Sequence, residues 1–118
     1  MIAHVVLFRP KIGLADADRA RLLDALRDAH TQIRQIRRFM VGTRMLIGKP
    51  YEAAARDFPF FVLLEFDSRE DLGAYLTHPA HQQLALGFHE MSEAAEAYDF
   101  EIEAMPGGAD ALGAVREH

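Results

Sequence analysis

Two histidines three residues apart, in the run Tyr75-Leu76-Thr77-His78-Pro79-Ala80-His81, are the side chains of this 118-residue chain best suited to proton chemistry. Pro79 excludes His78 from helical backbone and favours the first turn of a new helix, so His78 is expected to cap that helix. His81, Leu84, Phe88, Met91 and Ala95 then follow at steps of three and four, one stripe on one helix face. His81 therefore heads an apolar face in the first turn, where burial and the helix dipole both disfavour positive charge. A neutral, partly buried imidazole close to a tyrosine is a plausible acid/base pair. Tyr75 shares the buried stripe of the preceding helix with Leu72 and Leu76. His4 lies within the apolar first strand, and Val6, Phe8, Leu64 and Phe88 are the candidate walls of a pocket around these groups.

Each candidate also has a structural reading. His81 and His4 can be satisfied core histidines, and Tyr75 a core aromatic whose hydroxyl finds a partner. His78 and His81 with His89 or Asp99 have neither the spacing nor the carboxylate support of a metal site, so no metal is expected. The chain has no cysteine, which excludes disulfides, thiol catalysis and thiolate ligands. Its net charge of −5 argues against nucleic acid and anionic membranes as partners. The apolar run at the N-terminus is too short for a signal peptide or membrane span, so a cytoplasmic protein is expected.

The elements that must position these groups read as follows. Ile2 to Arg9 alternates as a strand with apolar residues on both faces. Asp16 or Asp18 can cap a long helix with the stripe Leu22, Leu26, Ala29, Ile33 and Ile36, and Arg34, Arg37 and Arg38 complement the dipole at its end. Met40 to Ile47 reads as a second strand in which Gly42 marks a turn or close approach. Gly48 to Asp57 is a connection with one helical turn in Tyr51 to Arg56. Phe60 to Phe66 is a strand covered on both faces, and Ser68-Arg69-Glu70-Asp71 starts a helix. Tyr98 to Ala104 is the last strand, and a weakly apolar tail, 105–118, follows a domain of residues 1–104.

The order strand, helix, two strands, helices, strand is the βαββαβ pattern of an α+β, ferredoxin-like fold. Helices in that fold cover one sheet face only. Apolar residues on both faces of strands one and three therefore predict a homodimer through the sheets, closing an α+β barrel.

His4 in a strand of the form His-Val-Val-Leu-Phe, the strand end Leu64-Glu65-Phe66-Asp67-Ser68 and the Tyr75 to His81 run resemble the stress-responsive A/B barrel (Dabb) family over about Met1 to Ile102. The resemblance implies a dimeric α+β barrel and an association with stress response. Similarity to the olivetolic acid cyclases of that family implies cofactor-independent aldol cyclisation. By that similarity His81 is the general base, Tyr75 holds the reacting carbonyl, His4 lines the site and Asp99 is a pocket-lining acid. The corresponding reaction is abstraction of an acidic α-proton by His81 while His4 and Tyr75 orient a carbonyl oxygen, with no cofactor. The alternatives are a non-catalytic stress-response or structural dimeric module that binds an apolar metabolite or a partner and, less favoured, a cofactor-free monooxygenase. An enzyme requires an open cavity walled by His4, Leu64, Tyr75, His81 and Phe88, whereas a structural module has those positions packed solid.

Overall fold

A computed structural model describes residues 1–105 and 113. The element order is β1 (Ile2–Pro10), α1 (Asp16–Gln32), β2 (Arg38–Thr43), α2 (Tyr51–Ala54), β3 (Phe60–Phe66), α3 (Arg69–Thr77), α4 (Pro79–Met91) and β4 (Ser92–Glu101). The strands form one antiparallel sheet in the order β2-β3-β1-β4. This is the expected ferredoxin-like α+β fold. The two most apolar strands, β1 and β3, occupy the centre, where both edges of each are hydrogen-bonded.

Alternation along the strands divides the sheet into two unlike faces. Ile2, His4, Val6 and Phe8 of β1, with Phe60, Val62, Leu64 and Phe66 of β3, face the helices and form the core with Ala29, Ile33, Tyr75 and Leu84. Val62, Leu64 and Phe66 are fully buried, and each such side chain contributes on the order of 1.5–3 kcal/mol. The opposite face carries Val5, Leu7, Phe61 and Leu63 with none of the described helices over them, flanked by the exposed Met40, Tyr98 and Phe100. On this outer face Gly42 lies directly opposite Phe61, and a Cβ at Gly42 would overlap the Phe61 ring. Glycine there is a requirement of close approach.

Several boundaries differ from the sequence reading, each for a physical reason. The stripe of α1 continues past the helix: Ile33 is the C-cap and Ile36 lies beyond it, although both pack against or within the core. The cap at the other end is Ala15. Asp18 serves it from inside the helix, accepting from the Ala15 N–H at 3.3 Å. Arg37 and Arg38 are consequently not at a helix end; Arg37 donates to Asp67 at 2.7 Å, and Arg38 opens β2 beside Glu65. β2 stops at Thr43, because β3 offers pairing partners only from Phe60 to Glu65. The helical turn after Gly48 ends at Ala54, with Glu52 accepting from the Ile47 and Lys49 N–H groups to hold the loop closed.

The largest difference concerns the last strand, which begins at Ser92 directly from α4 and ends at Glu101. Ala95 therefore belongs to β4, opposite Phe8, and is not part of the α4 stripe. Ser92 to Ala97 has helix-compatible composition, but pairing along the whole of β1 overrides local preference. Apart from Met105 and Gly113, the 105–118 tail lies outside the described residues.

Candidate functional site

The α3–α4 junction forms as its residue types dictate. Ser68 accepts from the Asp71 N–H at 3.2 Å and starts α3, with Glu70 and Asp71 in its first turn. His78 ends α3 in extended backbone and caps α4, its Nδ1 accepting from the Ala80 N–H at 3.0 Å, with Pro79 in the first turn. His78 is thus committed to the turn. His81, three residues on, projects under the sheet.

A chamber of about 300 Å³ lies between the sheet and the α3–α4 pair, and His4, Val6, Leu64, Tyr75, His81 and Phe88 all line it. Its floor follows from strand register. Val6 lies opposite Val62 on one side and Ala97 on the other, and His4 lies opposite Leu64 and Asp99. Ala97, with Ala85 on α4, is too small to fill the space beneath the helices, so the chamber stays open. Sequence reasoning did not single out these two alanines. The signal would have been Ala97 alternating with Asp99, readable only once β4 is known to begin before it.

The polar groups lie side by side in a line. The His4 Nδ1 is 2.6 Å from the Asp99 Oδ1, a cross-strand pair made possible by their direct opposition in the register. With a proton on Nδ1 shared with the carboxylate, Nε2 becomes the ring nitrogen free for other partners. The Tyr75 ring lies between the two histidines, its centroid 5.7 Å from that of His4 and 4.6 Å from that of His81, edge-on to the latter. Phe66 closes the other side of Tyr75 at 5.3 Å.

Burial sets the protonation states. It pushes the Tyr75 phenol up to about 12, so Tyr75 remains a neutral donor across the physiological range. Burial also pulls the His81 imidazole below its ordinary value. The Leu76 backbone carbonyl opposes that shift, and charge on His4 adds to it. His81 is therefore neutral at pH 7. Its Nδ1 is buried and has no hydrogen-bond partner among the described residues; the Leu76 carbonyl attracts a proton on the ring without meeting hydrogen-bond geometry. An unpaired buried imidazole nitrogen is costly, and unpaired buried polar groups are uncommon in folded proteins.

Two candidates stand elsewhere. Phe8 is two residues beyond Val6 on the same face, roughly 7 Å further along the strand. There it packs edge-on against Phe88 at 4.7 Å and faces a different cavity. Asp99 does not line the chamber. It is half-exposed at the sheet's edge strand and acts on the site through His4. No group of three or more metal-ligating side chains occurs among the described residues. No helix among them is long and apolar enough to cross a membrane.

A sheet with helices on one face, and a chamber holding a Tyr-His line beneath it, define the class of protein. The chain belongs to the stress responsive A/B barrel domain family, Dabb, whose family model matches residues 2–102. Similar solved structures include a hydroxynitrile lyase from Passiflora edulis, 19% identical with a TM-score of 0.73 over 89% of this chain and 96% of that one. A Dabb family protein from Mesorhizobium loti is 21% identical, with a TM-score of 0.66 over 87% and 97% of the two chains. A dimeric ferredoxin-like protein of unknown function from Thermobifida fusca is 20% identical, with a TM-score of 0.67 over 86% and 90%. At these identities the likeness is one of fold. No curated protein matches the sequence.

Proposed function

We propose that the chain is a homodimeric α+β barrel whose chamber binds a small, largely apolar carbonyl compound and catalyses cofactor-independent proton transfer on it. One observation carries the reading: an open chamber into which three polar side chains converge, one of them a neutral histidine with an unpaired buried nitrogen. A core built only for packing fills such a space, because each unfilled gap costs stability.

In this mechanism the substrate carbonyl oxygen sits against the Tyr75 hydroxyl, beside the His4 ring that Asp99 holds in place through Nδ1. Burial disfavours protonation of His81, leaving it a base. His81 removes the acidic α-proton, and the electron pair of the broken C–H bond moves to the carbonyl oxygen, where the Tyr75 hydroxyl stabilises the enolate. Return of the proton from His81 to another carbon is isomerisation, and attack of the enolate on a second carbonyl is aldol cyclisation. That a hydroxynitrile lyase has this fold is in keeping with an enzymatic reading of the chamber.

The homodimer reading rests on the uncovered face of Val5, Leu7, Phe61 and Leu63, and on structural neighbours described as dimeric. The direct test is deuterium exchange at the central carbon of a 1,3-diketone in D₂O, followed by NMR. Exchange accelerated by the wild type and lost in His81→Ala supports catalysis. Shifts of His4 and His81 resonances without accelerated exchange would make the chamber a binding site only.

A further inference from the structure

A second cavity, of about 270 Å³, lies under the N-terminal half of α1, walled by Leu22 and Leu26 of that helix and floored by Phe8 and Phe60 of the sheet. Among the described residues its only polar lining groups are Arg19 and Ser92. Phe8 separates it from the Tyr-His chamber, stacking on Phe60 at 5.5 Å and meeting Phe88 edge-on at 4.7 Å. Apart from Phe8 and Phe88, none of these residues entered the sequence reading as a candidate for function.

We propose that this cavity is a distinct binding site for a small aliphatic or aryl monocarboxylate. The apolar body fills the space between Leu22, Leu26, Phe8 and Phe60, and the carboxylate meets the Arg19 guanidinium at the mouth. Charge complementarity selects the acid. Arg19 is the sole charged group among the described residues lining the cavity, and its fork of donors matches a carboxylate in two-point geometry. Its present partner holds it weakly: Asp16 is 3.4 Å away, fully exposed, and one turn back on the same helix. Ser92 supplies a hydroxyl at the start of β4. The volume lies just below the usual small-molecule range, which sets the ligand at roughly eight to twelve non-hydrogen atoms.

The test is NMR titration of the full-length protein with octanoate, and with 1-octanol as its uncharged counterpart. Octanoate is expected to shift Leu22, Leu26 and Arg19 resonances saturably, leaving His4 and His81 unmoved, and to bind about two- to five-fold more tightly than octanol, the effect of one partly exposed charge pair. Arg19→Gln should bring octanoate down to the octanol level. Leu23→Trp, which places a large ring on a half-exposed lining position, should weaken both ligands without unfolding the protein. The proposal is overturned if octanoate moves His4 and His81 instead, if octanol and octanoate bind equally, or if no saturable shift occurs up to about 10 mM, beyond which affinity carries no specificity.

Discussion

Tyr75→Phe separates a chamber built for chemistry from a packed core more cleanly than any other single change. Tyr75 is only 2% exposed, yet its hydroxyl makes no hydrogen bond to the described residues, and burial alone accounts for its raised pKa. Removing a hydroxyl that makes no hydrogen bond relieves its partial desolvation and leaves the ring contacts to Phe66, His4 and His81 in place. Stability should therefore change by between zero and about +1 kcal/mol in favour of the variant, whereas loss of a satisfied buried hydroxyl costs about 1 kcal/mol or more. In catalysis the same hydroxyl is the donor to the developing enolate, and loss of such a donor lowers kcat by roughly 10²–10³-fold. The paired assay is urea denaturation of both proteins and diketone exchange at saturating substrate. A Tyr75→Phe protein destabilised by more than about 1 kcal/mol, with exchange unchanged, would refute the assignment and mark Tyr75 as a core residue.

Three further outcomes follow from named contacts. Because the folded-state pKa of His81 is lowered, the native protein binds fewer protons than the unfolded chain below the ordinary histidine value. The stabilisation by neutral His81 is then complete above about pH 6.5 and lost as pH falls through the folded value, so His81→Gln should flatten the acid side of the stability profile, checked by thermal melts from pH 5 to 8. His78→Ala removes the α4 cap and should cost about 1 kcal/mol, measured by denaturant unfolding, with chamber resonances at Tyr75 and His81 displaced because both flank the junction. Leu63→Glu places a charge in the middle of the uncovered sheet face and should convert a dimer to a monomer, read by analytical ultracentrifugation; an unchanged mass would remove that face from the interface.

How much of this was legible beforehand depended on the range of the interactions involved. The α3–α4 junction was readable residue by residue, because Ser68, His78 and Pro79 act on backbone groups within a few positions of themselves. The ferredoxin-like order and the two apolar sheet faces were likewise legible, since alternation in Ile2 to Phe8 and the dense run Phe60 to Phe66 are local patterns. The same holds for the inward aim of His81, from its place in the α4 stripe, and for the neutrality that follows from burial.

Tertiary pairing decided the rest. β4 reaches back to Ser92 because β1 is there to pair with it, and no local property of Ser-Glu-Ala-Ala-Glu-Ala announces a strand. That register puts Asp99 opposite His4, so the carboxylate orients a histidine from the sheet's edge instead of lining the chamber, and it puts Ala97 beneath the helices, where a small side chain leaves room. Phe8 shares a face with His4 and Val6 in any reading of the sequence, but only the Phe88 ring, arriving from α4, places Phe8 in a partition between two cavities. Patterns within one element determine which way a side chain points; what stands opposite it is determined by residues far away in the chain, brought there by sheet register and helix packing.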